Sequence, residues 1–177
     1  MKKISKEESL KELKNFTKNI QTVMLSTVSK EGEPFASYSP FVEDEEGNFY
    51  VFISTAVPHS HNMYSTKKAH ILFIEDESKA SHIYARKRMY FKANVEKFEE
   101  NDSKNEKIHQ LFKDKFKEAV SFFPAMKDFR FYKLMPKEGN LVLGFGAAYK
   151  ISEDRKSLYL NDKGHSKSHE EGIKDKE

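Results

Sequence analysis

From Thr22 onward this chain switches at short intervals between runs of β-branched and aromatic residues and clusters of charged turn formers, and nothing constrains its fold more. The run T-V-M-L-S-T-V-S is strand-like and ends at Lys30-Glu31-Gly32-Glu33, a turn sequence. Phe35, Ser37, Ser39 and Phe41 then fall on one face of a second strand, because side chains alternate along extended backbone. The acidic stretch from Glu43 to Asn48 is another turn, and F-Y-V-F-I over residues 49–53 reads as a third, more buried strand. Three strands joined by such short connections form an antiparallel meander.

Before the meander, Ser5-Lys6-Glu7-Glu8 has the form of a capping box, and Leu10, Leu13, Phe16 and Ile20 follow at helical spacing. A helix is expected over residues 6–19. After the meander, residues 58–68 (P-H-S-H-N-M-Y-S-T-K-K) read as a short helix or loop, and 70–75 as strand four. Strand five is expected to be long, about 84–98, with Met89, Phe91, Ala93 and Val95 on one face. Ser103-Lys104-Asn105-Glu106 repeats the capping-box pattern ahead of Ile108, Leu111, Phe112, Phe116, Ala119 and Val120, an amphipathic helix ending near Phe123-Pro124. Strand six is expected over 128–135, a turn at Pro136-Lys137-Glu138-Gly139, and strand seven over 140–151. These elements predict a mainly β fold with flanking helices, a small barrel bent around its long strand. Barrels of this kind often close an open side by dimerising, so a homodimer is expected. Residues 1–150 should form one barrel domain and 151–177 a polar C-terminal tail.

Composition decides several function classes. Hydrophobic residues make up only 37% of the 177, but fifteen Phe and eight Tyr allow an aromatic core. With no cysteine, disulfides, thiolate metal sites, Fe–S clusters and cysteine nucleophiles are excluded. The charged N-terminus lacks the apolar stretch of a signal peptide, and no run approaches the roughly 18 apolar residues of a membrane span, so a cytoplasmic location is expected. The 31 basic and 28 acidic residues are interspersed, which argues against nucleic-acid binding. None of the phosphate-loop, dinucleotide-loop, H-E-x-x-H or G-x-S-x-G patterns occurs.

Several clusters remain that can carry chemistry. The tail contains G-H-S-K-S-H, with His165 and His169 four residues apart among Gly164, Ser and Lys; such histidines are either solvated or reaching for a metal. Arg86 and Arg88, in R-K-R, would share one face of strand five and offer planar forks to carboxylates or phosphates; a solvated barrel rim is the plainer reading. Ser65-Thr66-Lys67-Lys68, just after His59 and His61, is a second anion candidate or ordinary surface. Gly144 and Gly146, in G-F-G-A-A-Y, would bend a strand so that another backbone or a flat ligand comes close. Asp128, in F-F-P-A-M-K-D-F, either ends an element or accepts a hydrogen bond from a ligating imidazole.

Taken in order, Y-A-R-K-R, F-F-P followed by K-D-F, L-M-P-K-E-G, G-F-G-A-A-Y and a tail G-H resemble the HugZ/HutZ-type heme-iron-utilisation proteins. The likeness runs over about residues 10–170. It implies an FMN-binding-type split β-barrel, related to pyridoxamine-phosphate oxidases, that dimerises around heme. It further implies that His165, with His169 as rival, is the axial iron ligand, that Arg86 with Arg88 beside it contacts the heme, and that Asp128 orients the histidine. Gly144 and Gly146 would let the macrocycle approach. The implied reaction is oxidative opening of heme at a meso carbon with O₂ and electrons from an unidentified donor, giving iron, a biliverdin-like product and a one-carbon fragment. Three alternatives stand beside it: a flavoprotein holding FMN phosphate on Ser65, Thr66 and Lys67 with help from Arg86 or Arg88, a heme carrier without turnover, and a structural or interaction protein without a ligand.

Overall fold

The computed structural model describes residues 5–160. Six strands close into a barrel: β1 (Thr22–Val28), β2 (Pro34–Glu43), β3 (Phe49–Ser54), β4 (Lys68–Ile74), β5 (Arg88–Lys97) and β6 (Phe129–Val142). The order is β3-β2-β1-β4-β5-β6, every pair antiparallel, and β3 pairs with β6 to complete the cylinder. Two short strands, β7 (Ala148–Ile151) and β8 (Leu158–Leu160), extend the sheet beyond β6 and past residue 150.

The first helix, α1 (Lys6–Asn15), begins as its sequence predicts. Ser5 Oγ accepts from Glu8 N (3.1 Å) while the Glu8 carboxylate accepts from Ser5 N (2.9 Å). Residues 58–68, open between helix and loop, form α2 (Pro58–Thr66), with Pro58 in the first turn where a missing N–H costs nothing. The second capping box does not form. In α3 (Asn105–Phe116) the cap position is Lys104, Asp102 Oδ1 accepts from Lys104 N (2.9 Å), and Asn105 Nδ2 donates to the carbonyls of Glu99 and Glu100. After Phe116 the chain tightens into a 3-10 stretch, Lys117–Ala125.

The longest strand is β6, 14 residues, not β5. Pro136-Lys137-Glu138-Gly139 is no turn but the middle of β6, where the register with β5 slips between Phe91 and Ala93 and Pro136 lies opposite Ala93. A bulge is one of the few places inside a sheet that accepts proline, because the ladder is already interrupted. The true reversal comes later, at Gly144-Phe145-Gly146, closed by Leu143 N donating to Ala147 O (2.9 Å). Strand five likewise starts later than its sequence suggests, since Ile83–Ala85 form a 3-10 turn.

The barrel interior is aromatic. Phe41, Phe49, Phe73 and Phe91 are fully buried, with ring centroids 4.7 Å apart for Phe49–Phe73 and 4.9 Å for Phe41–Phe73. A second apolar cluster lies outside the wall. There Tyr50, Phe52 and Phe131 meet Ile108 and Phe112 of α3 and Phe123 of the 3-10 stretch. The late helix therefore sits as a cover on β3 and β6 and fixes the loop that leads into β6.

Candidate functional site

Strand β6 separates the candidate residues into two groups. At about 3.3 Å per residue its 14 residues reach up to roughly 46 Å. Asp128 precedes its first residue, whereas Arg88 is paired with its last, Val142, and Gly144 and Gly146 follow directly. A single chain does not bring Asp128 together with Arg86, Arg88 and the glycines.

At the Asp128 end, Thr55 N donates to Asp128 O (2.8 Å), which ties the entry of β6 to the exit of β3. Ser54 Oγ donates to the Asp128 carboxylate, which is otherwise exposed. Of the two readings open for Asp128, the structure realises the element end; the carboxylate's second oxygen stays available to an acceptor-seeking group. His59 lies just beyond, in the first turn of α2, stacked on Phe35 at 6.1 Å, and burial pushes its pKa down. His61 is exposed.

At the other end, Arg86 is not on a strand face with Arg88. It closes the 3-10 turn, and its guanidinium folds back, Nε and Nη2 donating to Glu75 O and Nη1 pairing with Glu77 (2.8 Å). Three of its five N–H groups are spent on the loop, and two remain. Arg88 is the first residue of β5, and one of its N–H groups donates to Arg86 O (3.1 Å). Gly144 and Gly146 form a tight turn, not a strand bend. Their φ values are 150° and 70°, and a Cβ on either would meet open space. Glycine is needed there for the backbone conformation, and no protein atom presses against either residue.

That same end holds a residue the motif search passed over. His82 Nδ1 accepts from Tyr84 N (3.3 Å), capping the 3-10 turn, and its ring stands edge-on to Phe145 at 5.1 Å and 74°. Ile83, Tyr84 and Phe145 are exposed around it, Tyr84 by 82%. A polar cap residue directly ahead of I-Y-A is the signal that would have found it.

The third candidate cluster is already occupied. Ser65 Oγ and Thr66 Oγ1 both donate to Asn62 O (3.1 and 2.8 Å), closing the end of α2, and Lys67 Nζ stands 4.2 Å from the Tyr64 ring centroid. A phosphate there would compete with Asn62 O for those hydroxyl protons. Among the described residues no group of three or more His, Cys, Asp or Glu converges on a metal position, and no helix is long and apolar enough to cross a membrane. Gly164, His165 and His169 lie outside the described residues.

Comparison with known proteins follows the same lines. The family described as pyridoxamine 5'-phosphate oxidase matches residues 9–143. A protein of Vibrio cholerae serotype O1 named heme oxygenase HutZ is 33% identical over 157 residues, covering 88% of this chain and 89% of its own. The crystal structure of HutZ, there described as a heme storage protein, superposes with a TM-score of 0.71 at 30% identity, over 76% of this chain and 96% of that one. The crystal structure of Campylobacter jejuni ChuZ gives 0.76 at 32% identity, over 85% of this chain and 61% of that one.

Proposed function

The chain belongs to the pyridoxamine 5'-phosphate oxidase-type split-barrel family, on its HugZ/HutZ side, and from that membership we propose that it binds heme and degrades it oxidatively. The observation that carries the reading is the 33% identity, over 88% of the chain, with a protein named heme oxygenase. Heme is the substrate here, and with O₂ and electrons from an external donor its own reactivity opens the ring at a meso carbon, giving a biliverdin-like product, free iron and that carbon as a one-carbon fragment.

The geometry supports a flat apolar dianion. Two N–H groups of Arg86 and most of Arg88 remain for propionates, beside exposed Ile83, Tyr84 and Phe145. The described chain stops close to β7: Leu160 pairs with Tyr149, one residue from the start of that strand, and His165 follows five residues later in the sequence. His165 is the proposed iron ligand, with His169 its rival. Asp128, held by Ser54, is the proposed acceptor for the ligand imidazole's other N–H, which would set its orientation and donor strength. Because Asp128 and Arg86 stand at opposite ends of β6, a site using both requires two chains.

A homodimer is therefore part of the proposal. The outer face of β1 and β2 exposes Met24, Val28 and Tyr38, with Met24 directly opposite Tyr38 and half-buried Leu72 continuing the patch on β4. That is the apolar surface a second copy would cover. Heme storage without turnover is the second reading, favoured by the description of the HutZ structure. In the flavin alternative, a phosphate on Ser65 and Thr66 would compete with Asn62 O for their hydroxyl protons.

The test is hemin titration of the purified chain, followed by a reductant in air. Growth of a bile-pigment band as the Soret band bleaches supports the oxygenase; a stable Soret band points to storage. No Soret change, with flavin fluorescence in the purified protein, overturns both. His165→Ala and His169→Ala, compared by the spectrum of the bound heme, separate the two candidate ligands.

A further inference from the structure

We propose that His82 is a substrate-positioning residue of this site, donating a hydrogen bond from Nε2 to a carboxylate of the bound tetrapyrrole. The inference rests on the heme reading above and adds a residue to it. The argument begins with the tautomer. Nδ1 accepts from Tyr84 N (3.3 Å), so a neutral imidazole in this position carries its proton on Nε2. Nε2 is then a donor. To ligate a metal through Nε2 the ring would have to move that proton to Nδ1 and break the cap of the 3-10 turn.

The ring is also fixed before any ligand arrives. The Tyr84 amide holds one edge and Phe145 stands against it at 5.1 Å, with φ-positive glycines on both sides of Phe145 defining that turn. A donor immobilised in advance loses little entropy on binding. Its surroundings define the partner. Exposed Ile83, Tyr84 and Phe145 offer apolar surface, and the segment that begins at His82 ends at Arg86, which keeps two N–H groups. Apolar planes beside an N–H donor and a guanidinium suit a carboxylate carried on a large flat hydrophobic body, and not a free anion.

The experiment compares hemin with hemin dimethyl ester, whose carboxylates are masked, on the full chain and two variants. His82→Ala removes both the cap and the donor. His82→Asp keeps an acceptor for the Tyr84 amide but replaces the donor by a negative charge. Hemin affinity is expected to fall about tenfold in His82→Ala, equivalent to about 1.4 kcal/mol, and further in His82→Asp. The ester should bind all three proteins within about twofold. The absorption and electron-paramagnetic spectra of bound hemin should be unchanged, because His82 is not the ligand. Equal losses for hemin and ester would make His82 merely structural, and wild-type affinity in His82→Asp would remove it from the site; either overturns the proposal. An altered iron spectrum overturns it in favour of ligation. Failure of the wild-type chain to bind hemin at all is a different result, and it defeats the heme reading itself.

Discussion

Replacing Gly139 by alanine tests how the barrel interior is built, and its cost can be worked from the structure. Gly139 lies opposite Phe91 across the β5–β6 ladder, just before the register slip. A Cβ there would enter the Phe91 ring at Cδ1 and Cε1 and stand 2.8 Å from the Tyr90 carbonyl oxygen. The carbonyl belongs to the ladder and cannot retreat. The Phe91 ring is fully buried, with Phe49 at 6.3 Å and the Arg155 guanidinium 5.3 Å from its centroid, so it has nowhere empty to go. Overpacking of this kind costs about 1–3 kcal/mol, and a wall closed on both sides places Gly139→Ala near about 3 kcal/mol. For a domain of this length that lowers Tm by roughly 6–12 °C.

The assay is chemical denaturation of the heme-free chain followed by circular dichroism. A second variant makes the reasoning specific. Phe91→Leu alone should destabilise by about 1–2 kcal/mol, but in the Gly139→Ala background the shorter side chain vacates the space the new methyl needs. The double variant should therefore be at least about 1 kcal/mol more stable than the sum of the single losses predicts. Gly139→Ala within about 0.5 kcal/mol of wild type, or strict additivity, would refute the clash.

The remaining predictions concern a half-buried lysine, Arg155 and the proposed dimer face. Lys115 of α3 donates to Ile20 O (2.9 Å) and lies 3.7 Å from the Phe41 ring centroid, and burial lowers its pKa to about 8, opposed by Glu43. The unfolded chain, with a lysine pKa of about 10.4, holds the extra proton between those values, so stability should rise with pH from about 8 to about 10.4. Lys115→Met should flatten that limb in denaturation curves; an unchanged slope refutes the assignment. Arg155 donates to Gly47 O and pairs with Glu43 (2.9 Å) over the Phe49 and Phe91 rings, so Arg155→Ala should cost about 2 kcal/mol by the same assay, and a loss below about 0.5 kcal/mol refutes a stabilising role for these contacts. Tyr38→Glu, on the exposed outer face, should convert a dimer to a monomer in sedimentation without unfolding it; a wild-type chain that is already monomeric refutes the face as an interface.

Much of the architecture was readable where local and global preferences agree. The Ser5–Glu8 box, the strands β1 to β3 with β3 the more buried, and the inward set Met89, Phe91, Ala93 and Val95 all appear where the pattern puts them. Failures came where a tertiary contact overrode a local signal. P-K-E-G reads as a turn, yet a bulge in β6 opposite Lys92 absorbs the proline and Gly139 faces a phenylalanine ring. Ser103 matches a cap, yet Asp102 and Asn105 take the hydrogen bonds. R-K-R reads as strand, yet His82 starts a 3-10 turn that pulls Arg86 out of line and commits it to Glu75 and Glu77. The short L-Y-L run gives too little periodicity to announce β8, which forms by pairing with β7. For the site, residue types were legible and their separation was not. Distance along a 14-residue strand depends on where that strand begins and ends, which a misplaced turn conceals.

That separation has a thermodynamic consequence. If Arg86 and Asp128 serve one heme, each binding event draws on two copies of the chain, and ligand affinity becomes linked to protein concentration. Dimerisation and heme binding should then reinforce each other by the same free energy in both directions. The exposed Met24 and Tyr38 face and the Asp128 carboxylate, far apart in sequence and on different elements, would be coupled through the assembly. Tyr38→Glu, which touches no proposed heme contact, should accordingly weaken hemin binding as well as the dimer. A variant that is monomeric and still binds hemin with full affinity would mean that one barrel suffices, with Asp128 reduced to the tie between β3 and β6 that Ser54 and Thr55 already make of it.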